Sequence, residues 1–241
     1  PFDTGAYASR QSFVTGTAVK ECAQQLKQKI LEYARTLVPG NVDRLELEDG
    51  YILADGKPAI SLEDLAMESY YSLSNSSVLT AEVSRQVKKN TVASGCCFAE
   101  VEVDMKLGKI KVLDIVNVHD SGTLLNPQLA AMQVHGGMFM GIGYGVSEQL
   151  LIDEKTGRPL NGTLLDYKMI TMMDTPDLTA EFVELNDPMG PYGNKALGEP
   201  PAIPSAPAIR NAVLHATGIG FSEIPLTPQR LIDGFTKTGL I

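Results

Sequence analysis

Apolar residues recur at helical spacing along the first long segment of the chain, before Pro39-Gly40 stops the pattern. This spacing predicts a long helix that begins near Thr17. Its apolar face carries Val19, Cys22, Leu26, Ile30 and Leu37.

Alternating apolar and polar positions predict two β-hairpins. The first covers residues 44–53 and turns at Asp49-Gly50. The second turns near Gly108, and Asp120-Ser121-Gly122 ends its second strand. Its inward positions are Cys97, Ala99, Val101, Val103, Met105, Ile110, Val112 and Ile115.

The remaining patterns complete an α+β fold of mixed helices and antiparallel hairpins. Ser61 and Asp64 form a capping signal for a short helix. The later patterns predict a helix over residues 127–150, a hairpin around 155–157, a strand over 180–185 and a final helix over 205–215. Polar residues 72–90 predict an exposed connection, which divides the molecule into lobes 1–90 and 91–241.

Charge and hydropathy narrow the classes of partner. The net charge of the 241 residues is −9 and the basic residues are scattered, which argues against binding to nucleic acid or to an anionic membrane. No apolar run approaches the roughly 18–20 residues that span a bilayer. Small molecules and other subunits are therefore the expected partners.

The three cysteines form neither a disulfide framework nor a metal-binding spacing. Cys96 and Cys97 lie in a predicted strand, where we expect them to be buried as small hydrophobic residues. This usage fits a reducing, cytoplasmic setting. The three histidines have no partner at ligand spacing, so the sequence predicts no protein-ligated zinc or iron.

Glu199 is the candidate catalytic base, because Gly198, Pro200 and Pro201 restrict the loop around it. The N-terminus of the helix predicted from Ser205 would favour its charged form, whereas a dry site would oppose it. Lys195 could pair with this carboxylate or remain solvated. The alternative is that Glu199 itself is a solvated loop residue.

A second candidate segment is the glycine-rich part of the helix predicted from residue 127. Gln133, Gly137, Gly141 and Gly145 fall at intervals of four and form one smooth stripe. Such a stripe allows either a flat ligand or another backbone to lie against the helix. The sequence leaves both alternatives open.

The third candidate segment, residues 5–12, precedes the first helix. Its small residues, hydroxyl groups and Arg10 suit a phosphate or an anionic oxo group, although an ordinary N-cap region is the alternative.

Together the three segments resemble the molybdopterin-binding large subunit of the xanthine dehydrogenase and aldehyde oxidase family. The resemblance runs in order over essentially the whole chain and rests on residues 5–11, residues 126–145 and Gly198-Glu199-Pro200-Pro201. Residues 134–138, residues 165–168 and Ile203-Pro204 are most similar to bacterial xanthine dehydrogenases. His135 stands where many relatives carry an acidic residue.

The resemblance implies a role for each candidate residue. Glu199 is expected to be the general base that takes the proton from a molybdenum-bound hydroxide, with hydride passing to the sulfido ligand. The molybdenum is held by the dithiolene of the pterin, which agrees with the missing protein ligand set. The residues expected to contact the molybdopterin dinucleotide are Ala8, Ser9, Arg10, Gln11, Gln133 and Gly137.

The resemblance also implies an incomplete enzyme. The substrate-orienting residues of the family lie upstream of anything present here, so the chain resembles the C-terminal part of the large subunit. Its expected partners are the N-terminal part of that subunit, a [2Fe-2S] subunit and an FAD subunit, which receive the electrons. The expected reaction hydroxylates a purine such as xanthine with water-derived oxygen. The alternatives are an aldehyde, nicotinate or another N-heterocycle as substrate, and a non-catalytic structural or assembly module.

Overall fold

The computed structural model describes residues 5–86 and 89–241, which belong to two compact units. Residues 14–86 form the small unit, and residues 5–13 with 89–241 form the large unit. The division into lobes 1–90 and 91–241 stays a prediction.

The small unit contains one helix, then the three strands of an antiparallel sheet, then a second helix, in the order of the sequence. Its elements are α1 (Gln11–Leu37), whose first three residues belong to the large unit, β1 (Leu45–Glu48), β2 (Tyr51–Ala54), β3 (Lys57–Ser61) and α2 (Leu62–Tyr71). Its core contains Tyr33, Ala34, Leu45, Ile52 and Leu65. The predicted hairpin and the Ser61 cap are confirmed, since Ser61 Oγ accepts a hydrogen bond from the Asp64 N–H at 3.0 Å.

Two features of α1 and the first sheet depart from the sequence prediction. Helix α1 begins at Gln11, before the apolar periodicity starts near Thr17, and Phe13 in its first turn is buried. Strand β3 was not predicted, because three of its five residues are exposed and give little alternation. The burial of Phe13 accounts for the early start of α1, and pairing with β2 accounts for β3.

The large unit is built on a mixed sheet in the order β4-β5-β6. Strands β4 (Ser94–Asp104) and β5 (Lys109–Asp120) form the predicted antiparallel hairpin, and β6 (Asp177–Phe182) pairs in parallel with β5. The prediction that both neighbouring cysteines are buried was wrong: Cys96 is exposed and Cys97 is half-buried against the core. Burial raises the pKa of the Cys97 thiol to about 11.

Three helices pack with this sheet: α3 (Pro127–Val146), α4 (Ser205–Thr217) and α5 (Pro228–Thr238). Helix α3 ends four residues before the predicted end at Leu150. Around residues 155–157 the chain forms an isolated bridge between Ile152 and Pro159 instead of a full hairpin. Helix α4 is not the final helix as predicted, because α5 follows it. The Thr227 cap, Pro228 at the first position and Gly239 after the end are its sequence signals.

The core of the large unit joins β5, α3 and α4 in one apolar cluster, and this brings the segments at the ends of these elements together. The cluster contains Val112, Ile115, Val134, Met138, Ile142, Ile170 and Ile209. The α+β class is confirmed. Within the described ranges, no helix is both long and apolar enough to cross a bilayer.

Candidate functional site

Glu199 and Ser9 are hydrogen-bonded to each other although 190 positions separate them in the chain. Ser9 Oγ donates to Glu199 Oε2 at 2.8 Å, and the Glu199 N–H donates to Ser9 Oγ at 2.6 Å. Two of the three candidate segments therefore meet at one residue pair. Glu199 remains exposed, so its carboxylate is accessible.

The Ser9 segment has an unusual backbone conformation. Ala8 and Ser9 both have positive φ, at 47° and 59°, in a short turn directly before α1. The left-handed region costs an L-residue about 1–2 kcal/mol, and such strain is concentrated at functional sites. The two loops also approach closely, because a Cβ atom on Gly198 would lie 2.8 Å from Ser9 Cβ. Glycine is thus required at position 198.

Gln133 joins the same cluster from α3. Its Nε2 donates to the Gly198 carbonyl oxygen at 2.6 Å, and its side chain is exposed. Asn126 caps this end of α3 by accepting a hydrogen bond from the Leu129 N–H at 3.0 Å. Ser9, Glu199, Gly198 and Gln133 therefore form one continuous set of contacts.

Two clefts of the large unit share Gln133 and Gly198. The first, which we call cleft A, has a volume of about 500 Å³ and is lined by Ser9, Gln11, Ser12, Asn126, Gln133 and Gly198. The second, cleft B, has a volume of about 690 Å³ and is lined by Gln133, Gly136, Met140, Tyr144, Glu199 and Ile203. Cleft A also has apolar walls, formed by Leu124, Leu125, Leu129 and Leu197. Cleft B places Glu199 among apolar side chains.

The glycine stripe of α3 packs mainly against protein. A Cβ atom on Gly137 would lie 2.5 Å from Pro201 Cβ, and one on Gly141 would collide with Ser205 Cβ. Gly145 faces α4 at ordinary van der Waals distance. Of the two alternatives, close backbone packing describes Gly141 and Gly145, while Gly137 also lines cleft B. The role of Gly137 in cofactor binding stays a prediction.

Among the glycines of α3, Gly136 has open space beside it, and it lies outside the stripe. A Cβ atom there would meet no atom within 4 Å, and the residue lines cleft B. The sequence reasoning missed it because it does not share the four-residue spacing of the stripe and lies about 60° of helix rotation from Gln133.

The two candidate cations do not contact Glu199. Arg10 Nη1 donates to Asn90 Oδ1 at 3.1 Å, and its predicted cofactor contact stays a prediction. Lys195 Nζ pairs with Asp120 Oδ2 at 2.5 Å, and the two side chains are only 11% and 9% exposed. The expectation that Lys195 pairs with Glu199 or is solvated was therefore wrong. The sequence offers no signal that joins two residues 75 positions apart.

Asn117 is another residue of the site that sequence reasoning missed. Its buried Nδ2 donates to the Pro201 carbonyl oxygen at 2.9 Å, and Ser205 Oγ donates to the same oxygen at 3.2 Å. The available signal was a polar residue at an inward position, since Ile115, Asn117 and His119 alternate on β5 and are all buried. These bonds fix the turn that follows Glu199.

No group of three or more His, Cys, Asp and Glu side chains in residues 5–86 and 89–241 could hold a metal ion. The polar groups at the two clefts are hydroxyl, amide and carboxylate groups, the Lys195 ammonium group that is paired with Asp120, and the backbone at the start of α1. The hydroxyl, amide and backbone N–H donors suit a phosphate, and the amide and carboxylate oxygens can accept hydrogen bonds from a heterocycle.

Comparison with known proteins finds a relative named as a molybdenum-binding subunit and two similar solved structures. The chain is 48% identical over 244 residues to the xanthine dehydrogenase molybdenum-binding subunit of Escherichia coli O157:H7, covering all of this chain and 32% of that protein. It resembles reconstituted CO dehydrogenase from Oligotropha carboxidovorans with a TM-score of 0.87 and 26% identity, over 100% of this chain and 31% of that one. It also resembles quinoline 2-oxidoreductase from Pseudomonas putida 86, with a TM-score of 0.86 and 26% identity, over 98% of this chain and 31% of that one.

The chain thus spans about a third of the length of the relatives that it matches. The sequence pattern of the molybdopterin cofactor-binding domain family matches residues 1–176, a range that contains Ser9 and Gln133 but ends before Glu199. Since this match covers most of the chain, the protein belongs to the molybdopterin cofactor-binding domain family.

Proposed function

We propose that this chain is the C-terminal molybdenum-cofactor-binding portion of an oxidoreductase that hydroxylates a purine such as xanthine with water-derived oxygen. Glu199 acts as its general base. The observation that carries the proposal is the position of Glu199, held by Ser9 at the edge of cleft B. The 48% identity to a xanthine dehydrogenase subunit supports xanthine as the substrate.

The residues around the two clefts fit a pterin cofactor with a phosphate. The strained Ala8-Ser9 turn and the first residues of α1 border cleft A, where backbone N–H groups at a helix N-terminus favour a phosphate. At Gly136 the helix backbone is open to cleft B, so that a flat ring can lie against it. The cofactor would be held by Ala8, Ser9, Arg10, Gln11, Gln133 and Gly137, which are the predicted contacts.

When bound, the cofactor supplies the two-electron redox chemistry that the side chains of the protein lack. The protein contributes a proton acceptor in one fixed pose. Ser9 Oγ donates a hydrogen bond to Glu199 Oε2. Arg10 binds Asn90 and Lys195 pairs with Asp120, so neither cation neutralises the Glu199 carboxylate. Glu199 is thereby available to withdraw a proton from the oxygen that is delivered to the substrate.

The walls of cleft B support a flat, largely apolar ligand. Met140, Tyr144 and Ile203 line it and are all partly exposed, at 50%, 45% and 69%. Similarity to a quinoline oxidoreductase favours an N-heterocycle as the alternative substrate class. We further propose that the remaining part of the large subunit, a [2Fe-2S] subunit and an FAD subunit complete the enzyme and receive the electrons.

Replacing Glu199 tests the proposal. In the assembled enzyme, Glu199→Gln keeps the shape of the side chain but removes the proton acceptor, so kcat is expected to fall by about 10²–10⁴-fold. The measurement is steady-state kinetics with xanthine, hypoxanthine, nicotinate and benzaldehyde. Molybdenum and pterin contents, measured in the same preparations, should equal those of the wild-type enzyme.

The matched control is Glu154→Gln, since Glu154 is also an exposed glutamate of the large unit but lies outside both clefts. It should leave kcat unchanged. Near-wild-type hydroxylation by Glu199→Gln would contradict the role of Glu199. An active wild-type preparation that contains neither molybdenum nor a pterin nucleotide would contradict the cofactor as well.

A further inference from the structure

We infer that the buried Asp120–Lys195 ion pair holds the Glu199 loop in its working position, which makes Asp120 and Lys195 positioning residues for the reaction. The inference rests on the proposed role of Glu199 as the base. Neither residue lines cleft B, although Lys195 lines cleft A.

The pair ties the chain before Glu199 to the end of β5. Lys195 Nζ binds Asp120 Oδ2 at 2.5 Å, and the Lys195 N–H donates to the Ser121 carbonyl oxygen at 2.8 Å. Gly122 and Asn194 form an antiparallel bridge beside this contact. Since Lys195 is four residues before Glu199, the base is anchored close to a strand of the core sheet.

A second anchor follows Glu199. The Pro201 carbonyl oxygen accepts hydrogen bonds from Asn117, on the same strand as Asp120, and from Ser205. The Glu199 loop therefore runs for only five residues between two attachments to β5. Its middle is held by two exposed hydrogen bonds, one between Gln133 and Gly198 and one between Glu199 and Ser9. The ion pair is the buried contact at the entrance to the loop.

Charge and burial make this anchor strong. Burial alone would raise the pKa of Asp120, but hydrogen bonds from Lys195 and from the N–H groups of Gly122 and Leu185 hold this pKa below its ordinary value. The carboxylate is consequently charged at neutral pH. Removing both charges abolishes the contact between Lys195 Nζ and Asp120 Oδ2, and the short loop is then free to move with residue 195.

The test uses the complete enzyme and the double variant Asp120→Asn/Lys195→Met, which leaves no unpaired buried charge and should fold. A misplaced base lowers the rate more than substrate binding, so we expect kcat to fall by about 10–100-fold with KM changed by less than about 3-fold. Hydrogen–deuterium exchange provides an independent readout. The peptide containing residues 195–199 should exchange at least about tenfold faster, while β6 exchanges at the wild-type rate.

The Glu199→Gln background separates positioning from other roles. If Lys195 acts through Glu199, adding Asp120→Asn/Lys195→Met to Glu199→Gln lowers the rate no further. The control Lys109→Met removes an exposed lysine from the same strand and should change neither exchange nor kcat.

Two outcomes overturn the inference. One is that residues 195–199 of the double variant exchange at the wild-type rate. The other is that Asp120→Asn/Lys195→Met lowers the rate by the same factor in the wild-type enzyme and in Glu199→Gln. An inactive Glu199→Gln enzyme beside a fully active double variant overturns the positioning role and leaves the base proposal standing. An active Glu199→Gln enzyme overturns the base proposal first.

Discussion

His119 shows how the environment of one residue determines its protonation. Its side chain is 2% exposed on β5, and neither ring nitrogen has a hydrogen-bond partner among the described residues. Burial lowers the pKa of His119 below its ordinary value of 6.5, because the charged imidazolium is poorly solvated. The folded state therefore contains the neutral form of His119. Glycine is required at position 95 on the neighbouring strand, because a Cβ atom there would lie 2.5 Å from His119 Nδ1.

We predict that His119 makes the chain less stable in mild acid. A folded pKa below the unfolded value means that the stabilisation is present above about pH 6.5 and is lost as the pH falls through the folded pKa. The free energy of unfolding should then drop by up to about 1.4 kcal/mol per pH unit below pH 6.5. Urea unfolding of wild type and His119→Leu between pH 5 and 8 measures this. Identical slopes in the two proteins would show that His119 does not contribute.

At the scale of elements, the packing of α3 on α4 explains the cluster of glycines. Gly137 and Gly141 allow the backbone of α3 to approach the segment from Pro201 to Ser205, which directly follows the Glu199 loop. The same contact surface thus stabilises the core and supports the candidate base. Gly136 on the neighbouring face leaves α3 open to cleft B.

Alanine substitutions at two of these glycines should change stability in opposite directions. Gly141→Ala places a Cβ atom against Ser205 and within 3.0 Å of the Ala202 carbonyl oxygen, and such overpacking costs about 1–3 kcal/mol. Gly136→Ala meets no atom and should gain up to about 1 kcal/mol from helix propensity. Thermal unfolding of both variants checks the signs. A stabilising Gly141→Ala would contradict the close packing of α3 and α4.

At the scale of the whole molecule, the two units have separate cores. The cluster around Ile52 lies within residues 14–86, and the clusters around Ile115 and Phe235 lie within the large unit, which carries Ser9, Gln133 and Glu199. All contacts of the candidate site described above come from the large unit.

Ile52→Ala should therefore destabilise the small unit. Ile52 is fully buried, so truncation removes apolar contacts worth about 2–5 kcal/mol. Amide exchange should become faster in residues 45–71 and stay at the wild-type rate in β4 and β5. The neighbouring Tyr51→Ala, at a side chain 48% exposed, is the control and should have little effect. Faster exchange throughout the chain would argue against separate cores.

The sequence by itself determined the elements whose signals are local. Periodicity predicted most of α1, the β4-β5 hairpin and α4, and the motifs around Ser9, Gln133 and Glu199 indicated the family, because these signals depend on neighbouring residues. Contacts between distant residues were decided only by the tertiary structure. The parallel pairing of β6 with β5 and the Asp120–Lys195 pair join segments far apart in the chain, and only the packing of the core brings them together.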